Sequence, residues 1–209
     1  MKRTGRSAAA VCIALLLLTG SAALFSAGLE EAAAVQEDVI REFTPVSFDD
    51  LPVPPYDYQR ANKLPLTGYF EKTFTVNGRN RTAKFFLPCT TPIRSFYTVI
   101  AVPEGIDTAE FMVSSGWMDI AKNADEGLVL LEPAADGWNS PAFEVDYVDA
   151  VLNFYSRNSY FSIFGISYVV GYEGGAAAFE AWAAANPLKV VSQAYVNSTG
   201  LNGSYYEQF

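Results

Sequence analysis

Hydrophobic and polar positions follow two different patterns along this chain. From Gly68, the runs Tyr69-Phe70-Glu71-Lys72-Thr73-Phe74-Thr75-Val76 and Arg81-Thr82-Ala83-Lys84-Phe85-Phe86-Leu87 are rich in aromatic and β-branched residues, with Asn77-Gly78 between them. Asn-Gly suits the positive φ angles of a tight two-residue turn, so these runs are expected to form an antiparallel pair. Beyond them, continuous apolar runs alternate with helix-period segments. Phe96 to Val102 reads as a buried strand closed by Pro103-Glu104-Gly105. Asp107 with Glu110 resembles a capping box opening a helix through Met112 and, after Gly116, from Trp117 to Asn123. Gly127 to Leu131 is the next strand and Glu132 to Asn139 a loop. Ser140-Pro141 then suits a helix start, with Val148, Val151, Leu152 and Tyr155 on one face. A strand from Ile166 to Val170, an alanine-rich helix stopped at Asn186-Pro187 and a strand from Lys189 to Val196 complete the pattern. The expected class is α/β: an antiparallel hairpin, then mostly parallel strands flanked by helices.

The first 65 residues do not fit this alternation. Lys2, Arg3 and Arg6 precede an apolar stretch from Ala8 to Leu29, and residues 1–28 read as a secretory signal or an uncleaved membrane anchor. The expected location is therefore secreted or membrane-anchored, outside the cytoplasm, with residues 8–29 as the membrane contact. Residues 29–65 read as an acidic tether in which Pro45, Pro52, Pro54 and Pro55 oppose regular pairing, so that order begins near Gly68 and residues 66–209 form the domain. Without residues 1–28, 11 cations remain against 23 anions, a charge of −12. That balance argues against nucleic acid as a partner. Cys89 would be the sole cysteine there and reads as a small hydrophobe. No ligand pattern for a metal or cofactor is present.

Gly171-Tyr172-Glu173-Gly174-Gly175 changes the picture. It follows an apolar strand and opens a helix, the setting in which G-x-S-x-G presents a nucleophile on a sharp turn. Here glutamate stands where serine is expected. The whole chain also contains no histidine, so a serine-type triad lacks its near-neutral base.

Together with the opening hairpin, Ser115-Gly116-Trp117 through Ala121, and the run Leu128 to Pro133, these residues resemble the α/β-hydrolase superfamily. The resemblance is to its secreted esterase branch, around polyhydroxyalkanoate depolymerases and feruloyl esterases, over roughly Gly68 to Tyr195. It implies an oxyanion hole of backbone N–H groups from Gly174 and from Gly105 or Ile106, in a loop where Glu104-Gly105 replaces the family's histidine-glycine pair. It also implies that the acid and histidine lie beyond later strands. The chain thus resembles the front part of such an enzyme, with a C-terminally incomplete sheet. Its last strand is then an open edge for self-association.

Glu173 admits three readings: a carboxylate nucleophile, a binding group for a polar or cationic ligand, or an exposed residue favouring a helix start. Glu132 and Glu173, both near strand ends, could form a glycosidase-like pair. Asp146 and Asp149 are expected to face solvent. Tyr147, Tyr155, Tyr160, Phe161, Phe164, Tyr168 and Tyr172 suit core packing better than a sugar or aryl pocket. Asn80, Asn197 and Asn202 match glycosylation acceptors. The expected function is an esterase-related protein that lacks the means to turn over, acting on an unidentified small molecule or polymer. The alternatives are a carbohydrate- or peptide-binding module and an ester hydrolase completed by another chain.

Overall fold

Asn77 and Gly78 take φ angles of 51° and 75° and turn the chain between β2 (Gly68–Val76) and β3 (Arg79–Leu87). The two strands pair antiparallel from Gly68↔Leu87 to Val76↔Arg79, as the Asn-Gly signal requires. The computed structural model describes residues 43–52, 66–88, 97–156 and 166–198. The signal or anchor segment, Cys89, Tyr160, Phe161, Phe164 and Asn202 lie outside these residues. None of the described helices is long and apolar enough to cross a membrane.

All the described residues from Thr44 onward fall in one unit. After the hairpin come β4 (Tyr97–Ala101), α1 (Thr108–Ser114), α2 (Trp117–Ala124), β5 (Leu128–Leu131), α3 (Pro141–Ser156), β6 (Ser167–Tyr172), α4 (Gly174–Ala185) and β7 (Val190–Val196). With β1 (Val46–Ser47), they give a seven-stranded sheet in the order β1-β2-β3-β5-β4-β6-β7. Strands β4 to β7 run parallel, and β3 is antiparallel to both its neighbours. The expected α/β class is borne out, with the chemistry-bearing loops gathered at the carboxyl ends of β4, β5 and β6.

Every residue of β4 and β5 is buried, which is why both read as unbroken apolar runs. Tyr97, Val99 and Ala101 join one core cluster with Val148, Val151, Leu152 and Tyr155 of α3 and with Phe179 and Trp182 of α4. The helical face read from the spacing in α3 is thus the face that packs.

Three expectations need correction. Order begins earlier than Gly68: Val46 and Ser47 pair parallel with Phe70 and Glu71. Phe48 is then buried, with its ring 5.0 Å from that of Phe154 and 6.2 Å from that of Phe70. Pro45 and Pro52 flank this strand at the sheet's edge, where a missing N–H does little harm. Second, the helix after Asp107 is two helices, separated at Gly116 with φ 79°. Asp107 does cap α1, accepting from the N–H groups of Ala109 (2.8 Å) and Glu110 (3.2 Å). Third, β7 starts at Val190 because Pro187–Lys189 form a short 3-10 turn. Among the described residues it lies at the sheet's end, with Val191 and Val196 exposed.

Candidate functional site at the strand-to-helix turn

Glu173 sits at the apex between β6 and α4 with φ 50° and ψ −123°. A residue with a side chain adopts this backbone region only when its surroundings impose it. The surroundings here are explicit. The Glu173 N–H donates to the Val196 carbonyl at 2.9 Å, and its own carbonyl accepts from the Ala176 N–H at 3.2 Å. A Cβ on Gly171 would stand 2.5 Å from the Ala176 Cα. One on Gly175 would stand 2.5 Å from the Ala101 Cβ and 2.9 Å from the Trp138 ring. The flanking glycines therefore let α4 fold back onto β6 and β4, and that close approach drives the turn.

The side chain so presented is exposed and makes no hydrogen bond to the helix it precedes. Replacing Glu173 by glycine should relieve the backbone. A net gain of about 1 kcal/mol is expected after the glycine's extra unfolded-state entropy. The thermal unfolding midpoint should rise by about 3 °C. A midpoint that calorimetry finds unchanged or lower would show that this side chain puts no strain on the turn.

Gly174 is the first residue of α4, and Gly105 lies in the β4–α1 loop with φ 75°, followed by Ile106. Glu104, which stands where the resemblance expects histidine, joins them, with Trp138, which the sequence did not single out. The Glu104 carboxylate accepts from the Trp138 N–H at 2.8 Å, and its Oε1 lies 3.3 Å from where a Cβ on Gly174 would stand. Trp138 locks the arrangement, its indole N–H donating to the Val102 carbonyl at 2.9 Å. Beside the turn, the Tyr172 hydroxyl accepts from the Trp117 indole at 3.0 Å, and the Tyr172 ring stands edge-on to Phe111 at 5.0 Å. Tyr172 and Trp117 are thus partly exposed over the buried Phe111, whereas Tyr147 and Tyr155 are core.

The other candidates are not assembled here. Glu132 follows β5, which β4 separates from β6, so Glu132 and Glu173 do not flank one position. The Glu132 carboxylate is held by Lys84 at 2.9 Å and by the Thr108 hydroxyl. Asp149 does not simply face solvent: it accepts from the Trp182 indole at 2.8 Å and lies 3.6 Å from Lys189. Asp146 is exposed and accepts from the Asn77 side chain at 2.9 Å. Among the described residues no cluster suited to a metal ion occurs.

The strand order and the elbow torsions decide the architecture. The fold is α/β-hydrolase-like. No family model and no curated protein matches the sequence. Among solved structures, the hydrolase-like chain is similar to Est1E from Butyrivibrio proteoclasticus at 12% identity and TM-score 0.47, over 59% of this chain and 48% of that one. An acetyl xylan esterase from Aspergillus awamori matches at 14% identity and TM-score 0.48, over 65% and 56%. An alpha-beta serine hydrolase homologue from Coxiella burnetii matches at 16% and 0.47, over 68% of each chain. The chain thus spans about half the length of the two esterases.

Proposed function

We propose that this hydrolase-like protein acts outside the cytoplasm as a binding protein and does not turn over esters by the serine mechanism of its fold. One observation carries the reading: an exposed carboxylate stands at the elbow apex, and none of the 209 residues is an imidazole to activate it or a water. Other groups do not fill that role. Burial raises the Tyr147 phenol, against the opposing pull of Arg81, and pushes Tyr155 up to about 12 despite its bond to Ser167, so both stay protonated near neutrality. The Glu104 carboxylate beside Gly174 opposes a second negative charge there, whereas an oxyanion hole requires donors and no facing anion. The partly exposed Trp117 and Tyr172 beside the Glu173 carboxylate suit a ligand that is cationic or rich in hydroxyl groups.

The test is hydrolysis of p-nitrophenyl acetate and butyrate by the wild type, Glu173→Gln and Glu173→Ser. All three are expected to match the spontaneous rate. Steady multi-turnover cleavage by the wild type that Glu173→Gln abolishes would overturn the proposal.

One observation favours a second reading, in which another polypeptide completes a hydrolase. Among the described residues β7 is the last strand of the sheet, with an uncharged sequence, Val190 to Val196, and exposed apolar side chains, a template for a further strand. Ester cleavage that appears only with a co-purifying or added second chain would favour it.

A further inference from the structure

Among the described residues the sheet has two edges, and they are built differently. At one edge β1 has only two residues, preceded by Pro45 and followed by the charged turn Phe48–Asp50 and by Pro52. Short length, prolines and charges are the devices that keep an edge strand from recruiting another chain. At the other edge β7 carries none of them. Its seven residues include no charge and no proline, although the chain as a whole has a net charge of −9. β7 pairs with β6 on one side, and no described strand pairs with its other side. Residues 191–194 and Val196 are exposed, and Leu188, just before the strand, is 91% exposed.

The order of residues in β7 says what fits it. In an antiparallel pairing of two copies about Gln193, Val191 meets Tyr195, Ser192 meets Ala194, and Gln193 meets its own counterpart, with Val190 and Val196 closing the ends. Small residues then face small ones, a β-branched residue faces an aromatic one, and no charge faces a charge. Such cross-strand pairs favour neighbouring strands. The residue on the axis is an amide, which carries both donors and an acceptor and is therefore complementary to itself. The Tyr195 hydroxyl donates to Gln193 Oε1 at 2.9 Å and holds that amide in place. Neighbouring registers fit less well. Centring on Ala194 would set Val191 against Asn197, whose φ of 56° leaves the β region. Centring on Ser192 would set Tyr195 against Lys189, which belongs to the 3-10 turn.

We propose that two copies of this chain pair antiparallel along β7, across a two-fold axis at Gln193, and so join their sheets. Because β1 is blunted, like edge meets like edge and the assembly closes at two, whereas pairing of unlike edges would run on into a filament. The occupant of this edge is then a second copy and not a different polypeptide. The pairing does not depend on what the elbow binds.

Sedimentation velocity of the full chain in a non-ionic detergent tests it. A reversible dimer with a Kd of about 10 µM is expected, since a strand edge with few side chains makes a small interface. Gln193→Lys and Gln193→Glu should each weaken the dimer by about 5-fold, because like charges then face each other across the axis. Mixing the two variants in equal amounts should restore a dimer, with one of each, at least as tight as the wild type. Both variants must be folded for that recovery, so it separates lost pairing from lost structure. Association through the apolar stretch at residues 8–29 would be blind to both substitutions. A wild type that stays monomeric up to about 100 µM, association unchanged in both variants, growth beyond the dimer, or a mixture no tighter than either variant alone would each overturn the pairing.

Discussion

Glu144→Ala is expected to cost the fold about 4 kcal/mol, the largest loss for any single substitution considered. The reason is the partner left behind. Arg81 would remain 95% buried between the rings of Tyr147 and Trp138, with no carboxylate to offset its charge. The Asn139 N–H would lose its acceptor as well. Attraction to the two rings recovers only a part, because a cation–π contact is worth about 2 kcal/mol even when desolvated. Replacing both partners, Arg81→Met with Glu144→Leu, should restore roughly half of the loss, since apolar groups of similar volume carry no desolvation penalty. Urea unfolding of the wild type, the single variant and the double variant gives the comparison. A single variant within about 1 kcal/mol of the wild type would show that water or other residues solvate the guanidinium.

Gly171→Ala should follow at about 3 kcal/mol, lowering the unfolding midpoint by about 9 °C. The added methyl would meet the helix backbone of α4, at Ala176 Cα, where no flexible side-chain end can yield. Gly171 also pairs with Ala101 on one side and Tyr195 on the other, so the strand has no lateral room to retreat. The strained Glu173 and the closely packed Gly171 are two results of one constraint. Substitution to glycine should stabilise the first position, and substitution from glycine should destabilise the second. If calorimetry finds Gly171→Ala neutral, α4 can shift away from the strand, and the elbow torsions are a preference of the local sequence alone.

Much of the architecture was legible because unbroken apolar runs and period-3.6 faces are direct consequences of burial. β4 and β5 are buried on both sides, and their composition says so. The turn at Asn77-Gly78 and the cap at Asp107 were equally plain, since each residue type answers a specific backbone need. What escaped was long-range. A two-residue strand has no periodicity, and prolines on either side disguised β1 within an acidic stretch. The partnership of Arg81 with Glu144 spans 63 positions. Its one local trace was that Arg81 shares the inward alternation of Ala83 and Phe85, where a charge demands a buried partner. At the elbow, the glycines announced the bend. Glu104 was placed beside it only through the family resemblance, and its partner Trp138, from another loop, was not singled out because only the sheet order brings the two together.

Phe48 closes a corner of the core from a stretch of chain that lies before the first long strand. A fragment trimmed to begin at Gly68 would therefore leave Phe70, Phe85 and Phe154 around an open socket. The compact unit includes Val46 and Ser47. Load applied at Val46 would meet the core at this corner, where the Val46–Ser47 ladder, the Asp49–Lys72 ion pair and the Phe48 ring hold the strand to the sheet.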